Sequence, residues 1–223
     1  MTEAPATSGG RGKLLIGLAW AVLLVALWLW GKEGGGGIFA EPTTGDVAAV
    51  GRPGERALPP PHEPLAAAEP RTIDIKAAHV RHARIIGRGL DSSGAVAPPP
   101  YDRPGDVGWY RTGTRPGAAG AAVLVGHVDT KSKPAVFYAL STLRPGERVR
   151  VARADGAIAE FTVEDVEVVT RDQFNARRVY GPRERGRAEL RLITCGGSFD
   201  RDSRSYTANV VVSAYLTGVR QQG

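Results

Sequence analysis

The sequence predicts a mainly β fold, a small closed or half-closed barrel of about eight strands with one or two short helices, preceded by a single N-terminal apolar helix. Three observations lead there. Runs of strand-like alternation separated by turn residues recur from Arg71 almost to the C-terminal end, the pattern of small barrels. Helix-like patterning in that region is confined to Pro134 to Leu143, with Phe137, Leu140 and Leu143 on one face, and to Gln173 to Tyr180, which reads equally as a loop. Finally, Leu14 to Trp30 is a run of seventeen residues that is apolar except for Gly17.

Taken in order, Met1 to Lys13 is a polar tail ending in Arg11 and Lys13. The apolar run that follows reaches about 25 Å as a helix against a ~30 Å hydrocarbon core, a gap that snorkelling lysines at either end can close. Lys13 and Lys32 stand at those ends, and Trp28 and Trp30 sit where interfacial aromatics belong. A signal peptide is the rival reading, but the nearest cleavage point, Ala40, has Ile38 where a small residue is needed. The expectation is therefore an uncleaved transmembrane anchor over 14–30, a cytoplasmic tail over 1–13, and everything after Trp30 outside the cell. From Gly31 to Pro70 the composition turns to Gly, Pro and Ala, including Gly34 to Gly37 and Pro59-Pro60-Pro61. Such a segment has too little apolar surface to offset its ordering entropy, which predicts a disordered tether over 31–70.

The folded domain is expected over 71–223. Arg71 to Ile75, His82 to Ile86 and Gly108 to Tyr110 read as short strands, and Val123 to Thr130 as an apolar strand running into polar residues. Glu147 to Arg153 and Ala157 to Val169 flank the Asp155-Gly156 turn as a hairpin. Ala188 to Cys195 and Asn209 to Leu216 complete the set.

Composition excludes several function classes. The 24 Arg, 5 Lys and net charge of +6 are spread along the chain without a dense basic run or interleaved aromatics, which argues against nucleic-acid binding. One cysteine allows no internal disulfide, and neither Cys/His nor acidic residues have metal-ligand spacing, so no metal and no cofactor are expected.

The chemistry rests on two strands. Arg191 to Cys195 is rich in Leu and Ile and leads into Gly196-Gly197, which reads as a buried strand delivering the cysteine to a strand end where the backbone opens out. Val123 to Val125 does the same for Gly126-His127. Either residue alone has an ordinary structural explanation, as a buried thiol or a capping histidine. Together they supply the nucleophile and the proton carrier of thiol acyl transfer.

At this level the chain resembles the sortases, membrane-anchored cysteine transpeptidases of Gram-positive bacteria, most closely the actinobacterial class F or class E group. The resemblance is carried by Gly126-His127-Val128-Asp129-Thr130, by Leu192-Ile193-Thr194-Cys195, by Gly196-Gly197-Ser198-Phe199-Asp200, and by Tyr206-Thr207-Ala208-Asn209-Val210-Val211-Val212. It implies a closed eight-stranded sortase-type barrel. It also implies that Cys195 attacks a Leu-Pro-x-Thr-Gly-like sorting signal after the threonine, with His127 as acid and then base. A cell-wall amine, from a peptidoglycan precursor or cross-bridge, or water resolves the thioacyl enzyme. The implied partners are thus secreted proteins bearing the sorting signal, the wall amine and the membrane. Asp129 either orients its loop or is a plain turn residue.

The family's oxyanion-stabilising arginine, carried on the strand after the cysteine, is missing: Ala208 or Asn209 falls at its position. Arg204 is the expected substitute, completing a catalytic set with His127 and Cys195. Arg191 is its rival, because residues 191, 193 and 195 of a strand share one face; with Ile193 and Thr194 it forms the expected substrate-binding set. Two other readings stand beside this one: a non-catalytic surface domain that binds wall polymer, and an L,D-transpeptidase-like enzyme, whose Ser-His-Gly-Cys-style signature is absent because Ile193-Thr194 precede the cysteine.

Overall fold

The computed structural model describes residues 57–201 and 205–221. The expected tail, the apolar run 14–30, the first part of the tether (31–56) and Arg204 lie outside the described residues. Among the described residues no helix is long and apolar enough to cross a membrane.

Eight strands form the domain: β1 (Pro70–Ile75), β2 (Val80–Arg88), β3 (Val107–Tyr110), β4 (Gly120–Val125), β5 (Arg148–Arg153), β6 (Ala157–Thr170), β7 (Ala188–Asp200) and β8 (Ser205–Gln221), with one short helix, α1 (Ala176–Tyr180), between β6 and β7. They close into a barrel in the order β1-β2-β3-β4-β7-β8-β6-β5. The expected closed, mainly β barrel with little helix is what the described residues adopt, while the expected N-terminal helix lies outside them. Two neighbour pairs are parallel, β2 with β3 and β4 with β7. The second of these brings together chain segments far apart in sequence.

Alternation explains the packing. Leu124 of β4, Leu190 and Leu192 of β7, and Val210 and Val212 of β8 point into the barrel beside Phe137, Leu140 and Phe161. Their intervening neighbours Val123, Val125, Ile193 and Val211 form a second apolar layer outside, with Val96, Val169 and Val179 of α1. A wall covered on both faces has no need of polar alternation, so β4 and β7 read as nearly continuous apolar runs. Burying each such side chain contributes about 1.5–3 kcal/mol. The predicted helical face over Pro134 to Leu143 is buried at Phe137, Leu140 and Leu143 as expected. Its regular helix is limited to a single 3₁₀ turn, Leu140–Thr142.

Two boundaries differ from the sequence reading. Residues 57–69, assigned by composition to the tether, run extended along the barrel: His62 N–H donates to Leu216 O (2.8 Å), Leu65 N–H to Gly117 O (2.7 Å), and Tyr215 Oη to Pro59 O (2.6 Å). Prolines block helix and central-strand pairing, but their carbonyls still accept, and Leu65 supplies an apolar anchor against the core. The second difference concerns β7, which continues past Cys195 to Asp200 as a two-stranded ribbon with β8. Cys195 therefore marks the end of pairing with β4, not the end of the strand. Gly196-Gly197 produce a register shift before Phe199 instead of a termination. Gly197 takes φ +76, and a Cβ there would lie 2.6 Å from Thr207 Oγ1.

Candidate active site

The parallel pairing of β4 and β7 runs from Gly120 opposite Ala188 to Val125 opposite Ile193, and Gly126 N–H extends it by donating to Ile193 O at 3.1 Å. The constant register brings His127, two residues past Val125, level with Cys195, two residues past Ile193. Gly126 is required for this path, because a Cβ would sit 2.6 Å from Phe137 Cδ2 and 2.8 Å from Val136 Cγ1. The two expected catalytic residues thus leave the barrel side by side at one rim.

Their surroundings differ. Cys195 is exposed. Even so, partial burial pushes its thiol above the usual value, the Arg171 charge pulls it down, and the Asp129 charge pushes it up. With burial ahead of the cation, the thiol is the resting form, and a base is needed to generate thiolate. His127 is buried at 6 % exposure, with Nε2 2.7 Å from Pro99 O and the Tyr101 ring stacked on its imidazole at 4.2 Å between centroids and 22°. Its backbone carbonyl accepts from Phe137 N–H at 3.0 Å.

Asp129 accepts a hydrogen bond from Tyr206 Oη. That bond, with some burial, pushes the Tyr206 phenol up to about 12. Tyr206 in turn meets Phe199 edge-on, 5.3 Å between centroids. The bond fastens the loop after His127 to the ribbon beyond Cys195, so Asp129 is more than a turn residue.

The arginines fall in different places. Arg191 shares the outer face of β7 with Cys195, yet its side chain is sealed: Nη2 donates to Glu189 Oε2 at 2.5 Å and to Gly181 O, past the end of α1, at 2.8 Å. Glu189 is fully buried and also accepts the backbone N–H groups of Arg183 and Glu184 and the Arg187 Nε–H. Burial alone would raise its carboxyl; the N–H donors and Arg191 outweigh that and hold it below the usual carboxylate range. Ile193 is buried in the outer apolar layer. Thr194 is buried at 4 % exposure, and its Oγ1 has no hydrogen-bond partner among the described residues.

Two residues near the thiol escaped the sequence reading. Arg171 follows β6, with its N–H donating to Thr207 O at 3.3 Å beside the Thr170–Ala208 pair, and it is the cation whose charge acts on Cys195. Asn209, noted only as a gap in a pattern, lies directly opposite Cys195 across the β7–β8 ladder, where side chains share a face. A cavity of about 570 Å³ opens between residues 78–84 of the β1–β2 corner and Pro134, Ala135, Val136, Tyr138 and Ala139, and none of His127, Cys195, Arg171 or Asn209 lines it. Its second wall is the segment bonded to the His127 and Val128 carbonyls.

The family model of the Sortase domain matches residues 73–217, more than half of the chain. Among solved structures the chain is similar to the SrtA sortase from Actinomyces oris (20 % identity, TM-score 0.53, covering 74 % of this chain and 88 % of that one). It is also similar to a lid mutant of sortase A from Corynebacterium diphtheriae (17 % identity, TM-score 0.50, covering 68 % and 73 %). No curated protein matches the sequence.

Proposed function

The chain belongs to the sortase family of cysteine transpeptidases, and from that premise we propose that it cleaves a Leu-Pro-x-Thr-Gly-like sorting signal after the threonine and transfers the acyl group to a cell-wall amine or to water. Cys195 is the nucleophile. His127 takes the thiol proton, so that thiolate adds to the substrate carbonyl, and then gives that proton to the leaving amine as the tetrahedral adduct collapses to a thioester. The incoming amine or water loses a proton to His127 and releases the thiol. What supports this is the β4–β7 register, which carries the imidazole and the thiol to one rim.

The oxyanion needs donors. Arg171 supplies the nearby positive charge and Asn209 a carboxamide opposite the sulfur; Arg204 is the competing arginine. Ile193 lies two residues before the thiol on the same face of β7, and with Thr194 it completes the proposed substrate-binding set. The reading includes a class F or class E placement, an actinobacterial source, anchoring through 14–30 and an extracellular domain.

The test is incubation of the protein with a pentapeptide library, followed by mass spectrometry of the acyl-enzyme. A thioester on Cys195 that is lost in Cys195→Ala is the expected result. Undiminished turnover in Cys195→Ala would remove the nucleophile role from Cys195, and a Cys195→Ala variant that still retains wall polymer, when wild type forms no adduct with any peptide, favours a binding domain.

A further inference from the structure

We infer that the strap Pro98 to Tyr101, between β2 and β3, is a positioning device that fixes which imidazole nitrogen of His127 exchanges protons. A carbonyl oxygen only accepts hydrogen bonds, so the 2.7 Å contact between Pro99 O and His127 Nε2 requires a proton on Nε2. This holds for the neutral ring and for the imidazolium alike. Nδ1 is then the only ring nitrogen left to take the Cys195 proton and return it to the leaving amine; Nε2 keeps its own proton throughout.

The strap is built for this. Three consecutive prolines, Pro98 to Pro100, hold φ near one value and pre-set the direction of the Pro99 carbonyl. One end is tied by Ala97 N–H to Gly89 O (2.9 Å) and by Val96, buried in the outer apolar layer. The other is tied by Val136 N–H to Pro104 O (2.9 Å) and by Arg84 Nη2 to Asp106 Oδ2 (2.8 Å). Between the two, Tyr101 is 72 % exposed, although its ring lies flat on the imidazole. An aromatic residue that open to solvent contributes little to the core. Its contact with His127 restricts the ring rotation that would let the other nitrogen face the carbonyl.

The kinetic part of this inference rests on the sortase reading; the tautomer does not. The test uses the full-length protein with ¹⁵N-labelled histidine, the His127 signals being identified by their loss in His127→Gln. Wild type is expected to show a protonated Nε2 and a bare Nδ1 in the neutral ring. Tyr101→Ala is expected to give mixed tautomers and a fall of about tenfold in kcat for peptide cleavage with KM little changed, part of the ~10²–10⁴ that general acid–base catalysis supplies. Tyr101→Phe keeps the stacked ring and restores both readouts. A proton on Nδ1 in wild type, or a Tyr101→Ala variant with the same single tautomer and the same kcat, overturns the inference. If wild type cleaves no peptide at all, the function proposed above fails while the nitrogen spectrum still decides this point.

Discussion

Strand β7 carries polar groups at two levels of its outer face, and the two levels are treated in opposite ways. At the lower level Glu189 and Arg191 are 0 % and 1 % exposed and are satisfied by each other, by the Gly181 carbonyl and by backbone N–H groups. At the upper level Cys195 is exposed, with a cation and an anion pulling its titration in opposite directions. The lower pair is held by its neighbours and has nothing left to offer a ligand; the upper site is left open to react. A charge on the nucleophile strand therefore belongs to the site only if its hydrogen bonds are not already consumed, and Arg191 shows the alternative.

Substitutions can break this contrast. Cys195→Ala should abolish thioacyl formation, and His127→Gln should slow it by ~10²–10⁴, both read as the rate of acyl-enzyme appearance with unchanged thermal unfolding. At the lower level the effect should be on stability. Glu189→Ala leaves a buried guanidinium without its carboxylate, at a cost of about 3–5 kcal/mol in denaturant unfolding, and Glu189→Gln, which can still accept the neighbouring N–H groups, should cost less. If Arg191→Met alone raised KM for the peptide without loss of stability, the contrast would fail. Because the Glu189 carboxyl is held down in the folded state, its contribution is present above the ordinary glutamate pKa. It is lost as pH falls through the lowered value, so Glu189→Gln should flatten the acid limb of the stability curve.

Smaller effects sharpen the upper level. Arg171→Gln should move the pH midpoint of Cys195 alkylation upward, and Asp129→Asn should move it downward, following the signs of the two charges. Comparing Arg171→Ala with Arg204→Ala in thioacyl formation decides which arginine serves the oxyanion; the one that matters should lose on the order of 10²-fold. Least of all, Phe199→Ala on the exposed ribbon should change stability by under about 0.5 kcal/mol.

The strands were legible because β4, β7 and β8 are rich in apolar, β-branched residues and because Asp155-Gly156 marks a hairpin. His127 and Cys195 were legible as residue types at the ends of apolar runs. Which strands would neighbour each other was not, since parallel pairing leaves no local signal. For the same reason Arg171 escaped notice: it is one of 24 arginines, and only the β6–β8–β7 order brings it near the thiol. The strap over His127 was equally hidden. A triple proline announces an extended path but does not say what its carbonyls will meet. Composition also placed 57–69 in the tether, because a segment held by backbone hydrogen bonds to a barrel needs few apolar side chains of its own.

The parallel seam between β4 and β7 has a consequence for biogenesis. Its two strands are separated by β5, β6 and α1, so residues 126–187, more than a third of the described residues, must close into a loop before they meet, and such non-local pairing forms slowly. Cys195 therefore gains its neighbouring imidazole only once this seam has formed.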